Sequence, residues 1–166
     1  MSLVVVGLQH VTLTEPHDLE TEEGEYCQDR ENHYYVEQPS PWLKRLGRIL
    51  PGRCYDSSGD AAIFAVGGYS AWRNALAEDG IGATSEEVVT QPDRYSIAPF
   101  YELIDFSDCE GVIGPEVARK LAKDFRIQRE TVRPRLEERD QWYAMLYDSF
   151  QSAFETASED GMVVFR

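Results

Sequence analysis

The chain has 166 residues, 42% of them hydrophobic and 28% charged, which fits one compact domain, 1–166, with its own core and excludes wholesale disorder. No apolar run approaches the roughly 20 residues a spanning helix needs, so no passage through a membrane is expected. Thirty acidic against sixteen basic residues leave a net charge of −14, a field that repels phosphate, so direct binding to nucleic acid or to an anionic membrane surface is not expected either.

The charge comes in blocks. Residues 1–40 carry −8, 41–53 carry +4, 54–114 carry −9, 115–139 carry +3 and 140–166 carry −4. Two basic islands in an acidic chain predict ion pairs inside the fold. The three cysteines, Cys27, Cys54 and Cys109, form no CxxC, and the start Met1–Val6 lacks a basic leader. These features are read as reduced thiols in a cytoplasmic protein. The histidines His10, His17 and His33 cluster early, away from Cys54 and Cys109, so no zinc site and no other metal or cofactor is expected.

Taken in chain order, Leu3–Val6 is β-branched and Val11 and Leu13 alternate with threonines, which predicts strand over 3–14. Residues 15–36 are acidic and poor in large apolar side chains, an expected surface excursion. Ser40-Pro41 and Pro51-Gly52 punctuate a short helix with Trp42, Leu43, Leu46, Ile49 and Leu50 on one face. Asp60–Val66 reads as a buried strand. A helix over Ser70–Ala77 follows, with Gly80 as its C-cap. Residues 81–97 read as mostly loop, with a short turn or strand at Glu86–Thr90. The portion 98–157 reads as helical: a turn at Phe100–Ile104, a glycine-bounded loop 107–114, a helix to about Ile127, and a last helix that begins or kinks at Pro134. Met162–Phe165 is a closing strand. The expected fold class is α+β, mainly helical, with a small sheet drawn from 3–14, 60–66 and 162–165 and the C-terminal helix packed over it.

Catalytic signatures are absent: there is no GxxxxGK[ST], no GxGxxG and no HExxH, and Gly68-Tyr69-Ser70-Ala71-Trp72 lacks the second glycine of a nucleophile elbow. The densest polar cluster is Glu102, Asp105, Ser107, Asp108, Cys109 and Glu110, with Gly111 and Glu116 after it. It echoes a calcium loop, but the required glycine falls one place late and Cys109 occupies a ligand position, so a capped turn between helices is the favoured reading. Acidic neighbours also disfavour a Cys109 thiolate. A second candidate is the helix start at Tyr69, Ser70, Trp72 and Arg73 after two glycines, able to hold an anion, with packing as its plainer alternative.

The stretch Ala98–Gly114, continuing through Lys120–Phe125, together with the Tyr69–Leu76 segment and its Trp-Arg pair, resembles blocks found in uncharacterised small bacterial and phage-related proteins. The resemblance implies kinship with that group and brings no activity, cofactor or fold with it.

These observations converge on a cytoplasmic acidic binding or interaction domain with an unknown protein or small-molecule partner. The alternatives are a small hydrolase or transferase built on loop 105–110, and an inhibitor that mimics nucleic acid. The candidate ligand-binding residues are Tyr69, Trp72, Arg73, Asp105, Ser107, Asp108 and Glu110. Loop 105–111 is expected to meet the helix start in space. Arg73 would be buried against Asp105 or Asp108 in a structural version, and Tyr69 or Trp72 would wall a pocket in a functional one.

Overall fold

The computed structural model of the chain describes residues 3–14, 33–37 and 39–166. Along it run β1 (Leu3–Leu8), β2 (Val11–Leu13), β3 (His33–Tyr35), a 3-10 segment (Ser40–Arg45), β4 (Cys54–Ser57) and β5 (Ala61–Val66). Helices α1 (Tyr69–Ile81), α2 (Ser85–Thr90), α3 (Pro92–Tyr95) and α4 (Tyr101–Ile104) come next, then β6 (Gly111–Ile113), α5 (Pro115–Arg139), α6 (Gln141–Ala157) and β7 (Met162–Phe165). Among the described residues helices take up 52% and strands 20%, so the fold is α+β and mainly helical, as the composition and periodicity predict.

The strands form two antiparallel sheets, in the orders β5-β1-β7-β6 and β2-β4-β3. The three predicted segments therefore do share a sheet through Leu3–Leu8, whereas Val11–Leu13 of the first segment joins the smaller one. Because side chains alternate along a strand, β1 serves two layers. Val5 pairs with Phe64 and Phe165 on the face covered by α6, and Val6 pairs with Ile63 and Val164 on the face turned to the smaller sheet. Gly7 lies on the α6 face. A Cβ there would stand 2.7 Å from the Ala153 backbone, so only glycine lets helix and strand approach this closely.

The larger core is aromatic. Phe150 stacks on Trp72 at 4.5 Å between centroids and meets Phe64 edge-on at 5.0 Å, while Phe125 packs with Phe100, Tyr147 and Phe154. The basic islands do find their partners inside the fold. Arg45 pairs with Asp105, Arg48 and Arg119 with Asp160, Lys120 with Glu102 and Asp124, and Arg139 with Glu78 and Asp79.

Several local expectations are corrected. The stretch 41–50 is a 3-10 segment only to Arg45, broken at Trp42 and followed by Gly47 at φ 55°. Ser40 lies inside it and does not cap it. β5 is an edge strand, half-exposed rather than buried. Helix α1 runs past Gly80 to a left-handed Gly82 cap, with Gly80 pressed against the Phe100 ring. Residues 85–95 are two short helices, the first closed by a capping box in which Thr84 and Glu87 exchange hydrogen bonds. β6 is a strand within the stretch read as loop, and β4 is a strand where none is predicted. The disulfide-bonded Cys54 overturns the expectation of reduced thiols, while Cys109 is free and exposed and Cys27 lies outside the described residues. The expected excursion over 15–36 also lies outside the described residues, except that His33–Tyr35 forms β3.

Pro134 neither begins nor ends a helix. Helix α5 passes through it to Arg139, and the break comes at Asp140, whose side chain accepts from Trp142 N at 2.9 Å to cap α6. The missing N–H at Pro134 is offset by the packing on either side. Val132 and Leu136 are buried, and Asp148 of α6 receives Arg133 Nε, Arg133 Nη2 and Arg129 Nη2 at 2.9 Å each.

Burial alone would raise the pKa of Asp148. The Arg133 hydrogen bonds and the charges of Arg133 and Arg129 outweigh it and hold the carboxyl below the usual range. Its contribution to stability is therefore complete above the unfolded value of about 3.9 and is lost as pH falls through the lower native value. Thermal melts from pH 7 to 2 should show the melting temperature falling below about pH 4. Asp148→Asn should start lower at pH 7 and lose less on acidification. An acid dependence identical in the two proteins would contradict this.

Candidate functional site

Helix α1 starts abruptly after β5. Gly68 adopts φ 69°, ψ 30°, a left-handed turn that favours glycine, and it supplies no capping side chain. The first helical hydrogen bond is Trp72 N to Gly68 O at 3.0 Å. The N–H groups of Tyr69, Ser70 and Ala71 thus point beyond the helix end without a side-chain cap, and no acid occupies the first turn.

Loop 105–110 comes to this end of the helix. Its turn is held by Ser107, 4% exposed, whose hydroxyl accepts from Cys109 N at 3.3 Å and Glu110 N at 3.1 Å and lies 3.5 Å from Cys109 Sγ. This is the capped turn the sequence favours, although it leads into β6 and not directly into Pro115. Asp105 binds Arg45, with Nη2 at 2.9 Å from Oδ2, which fastens the loop to the 3-10 segment. Arg73 Nη1 donates to the carbonyl of Phe106, and its guanidinium lies over the Tyr69 ring at 5.3 Å. The helix start and the loop therefore meet, but through a backbone carbonyl rather than a carboxylate.

A cavity of about 510 Å³ lies at this junction. Gly68–Ala71 form one wall, Asp108 and Cys109 another, and Leu3, Val66 and Arg166 complete it. Tyr69 is its aromatic wall. Trp72 is fully buried, stacked in the core with its Nε1 donating to Tyr143 O at 3.1 Å. The Tyr69 hydroxyl and Arg73 Nε are both buried with no hydrogen-bond partner among the described residues. Burial drives the Tyr69 pKa well above its ordinary value, the charge of Asp108 adds to the shift and that of Arg73 opposes it. Tyr69 is therefore a neutral hydroxyl at any physiological pH.

A second cavity of about 480 Å³ opens on the other side of Cys109 and Arg166, which line both. It is bounded by His33–Tyr35, Glu37 and Glu110–Val112. His33 Nδ1 lies 2.6 Å from Asp56 Oδ1. Sequence reading missed the pairing of His33 with Asp56, 23 positions away on the neighbouring strand, and missed Arg166, 133 positions from His33, because these residues come together only in the folded chain. Among the described residues no group of three or more His, Cys, Asp or Glu side chains could hold a metal ion, and no helix is long and apolar enough to cross a membrane. No protein-family model matches the chain, and no curated protein or solved structure shows a significant match to it.

Proposed function

We propose that this chain is a binding domain for a small zwitterionic ligand with an apolar body, seated in the cavity between the start of α1 and loop 105–110. One observation carries the reading: an uncapped helix N-terminus opens on a cavity whose opposite wall carries a carboxylate. The N–H groups of Tyr69–Ala71, which have no partner among the described residues, and the cation of Arg166 suit a carboxylate or a similar anion. Asp108, exposed on the facing loop, suits an ammonium group. Leu3, Val66 and Ala71 offer apolar surface between them, and the volume falls within the range of small-ligand sites. A purely anionic ligand fits less well, because Asp108 would oppose it. Kinship with small bacterial and phage-related proteins belongs to the same proposal and adds no ligand.

The hydrolase or transferase reading has less support. Asp105 is engaged by Arg45, and Ser107 accepts from two backbone amides. Nucleic-acid mimicry has less support again, since many of the acids are paired with the chain's own arginines and lysines. A cytoplasmic location also belongs to this reading and requires the Cys54 disulfide to be reduced in cells, where thiol pools disfavour such bonds.

The test is a thermal-shift panel of α-amino acids, simple carboxylates and simple amines. An apolar amino acid at a large excess over its dissociation constant should raise the melting temperature by about 5 °C or more, with neither half-ligand doing so. Ala71→Trp, which fills the cavity from an exposed helix position, and Asp108→Asn should each abolish the shift. No response to any member of the panel would remove this reading.

A further inference from the structure

Other buried tyrosines of this fold have their hydroxyls engaged. That of Tyr147 donates to Phe125 O, and that of Tyr55 accepts from Leu50 N at 2.9 Å. Tyr69 differs. It is 5% exposed, it lines the cavity at the start of α1, and its hydroxyl has no hydrogen-bond partner among the described residues. The ring is not free to turn in search of one. It is stacked with Trp72 at 6.0 Å and Phe150 at 5.8 Å and lies against Phe165 at 6.3 Å. Phenylalanine would fill the same place without stranding a polar atom, so the oxygen lowers the stability of the folded chain on its own.

The surroundings of that oxygen say what it suits. The Arg73 guanidinium lies 5.3 Å from the centre of the same ring, and Tyr69 is the first residue of α1, where the helix end adds positive partial charge. Two charged side chains act on the hydroxyl, Arg73 more strongly than Asp108. The local field is therefore positive, which favours donating to an anion over accepting from a cation. We infer that Tyr69 is the specificity-determining residue of this cavity, its hydroxyl donating to one oxygen of the ligand's carboxylate while the amides of Ser70 and Ala71 hold the other. The ligand class is then apolar α-amino acids with a free carboxylate, and Asp108 on the facing wall is left to their ammonium group. The inference rests on the cavity being a ligand site. An amino alcohol offers the same ammonium and apolar body but an uncharged oxygen, and it forfeits the charge-assisted bond, about twice as strong as a neutral one.

Calorimetric titration of the wild type and Tyr69→Phe is the test, with leucine, valine and phenylalanine each set beside leucinol, valinol and phenylalaninol. The wild type should bind at least one of the acids. Tyr69→Phe should bind that acid roughly tenfold or more weakly, while its affinity for the matching alcohol changes by less than about threefold. Without ligand, the variant should melt about 2 °C or more above the wild type, because the stranded oxygen is gone. An acid affinity unchanged by the substitution, equal losses for acid and alcohol, or a variant that melts below the wild type overturns the inference. In each of those cases, binding of an acid by the wild type leaves the cavity reading in place. A wild type that binds none of the three acids removes both.

Discussion

Phe150→Ala is expected to cost about 4 kcal/mol of folding stability. The ring is fully buried and sits where three elements converge. It stacks on Trp72 of α1 at 4.5 Å and 12°, meets Phe64 of β5 edge-on at 5.0 Å, and neighbours Phe154 and Phe165 at 6.2 and 6.3 Å. Truncation removes the transfer energy of a benzyl group, opens a cavity among rings that cannot collapse independently, and forfeits several aromatic pairs. In a chain of this length the melting temperature should fall by roughly 8–16 °C. Phe150→Leu, which keeps most of the volume, should lose about 1.5 kcal/mol or less. Urea unfolding of the three proteins gives the comparison. A Phe150→Ala loss below about 2 kcal/mol would mean that the ring is not the junction described.

The second large effect is Gly161→Ala, a single added methyl. Its Cβ would stand 1.7 Å from Leu8 O, 2.7 Å from the Leu8 carbonyl carbon and 3.0 Å from Ala157 Cα, all backbone atoms. None is free to yield. Gly161 N donates to Ala157 O at 2.9 Å, while His10 N and Val11 N donate to Glu159 O and Asp160 O at 3.0 Å, pinning the turn after α6 to the turn between β1 and β2. The expected cost is about 3 kcal/mol or more, at the upper end of overpacking. Gly67→Ala is the control. No atom lies within 4 Å of its added methyl and its φ is not positive, so its change should stay within about 0.5 kcal/mol. Equal losses in the two variants would show that helix or strand propensity, not the clash, sets the effect.

Much of the helical portion is legible because its apolar residues recur at 3.6-residue spacing. Ala118, Leu121, Ala122 and Phe125 of α5 and Leu146, Tyr147, Phe150 and Phe154 of α6 are all buried. Leu3–Leu8 and Met162–Phe165 announce themselves by β-branched and apolar runs. The three- and four-residue strands β4 and β6 do not, being too short to show alternation: Cys54–Ser57 owes its strand to partners on both sides, and Gly111–Ile113 owes its to β7. Pro134 misleads as a helix start because a proline rule is local, whereas the ion pairs to Asp148 that brace α5 around it come from another helix. At the site, the glycines at 67 and 68 and the polar density of 105–110 mark two places that do meet. What could not be read is which group answers which. Arg73 meets a carbonyl, Asp105 is engaged by Arg45 sixty residues earlier, and Trp72 belongs to the core.

The two central strands of the main sheet, β1 and β7, lie more than 150 residues apart in the chain. During synthesis the α5–α6 hairpin, whose contacts are local, can close as soon as it leaves the ribosome. The sheet cannot. Until Met162–Phe165 has emerged, β1 is paired only with β5, and its other edge lacks a neighbour. At bacterial or eukaryotic elongation rates of about 5–20 residues per second, that interval lasts from several to tens of seconds. β1 thus keeps one edge unpaired through that interval, and such a segment is a natural client for a chaperone that holds extended apolar sequence.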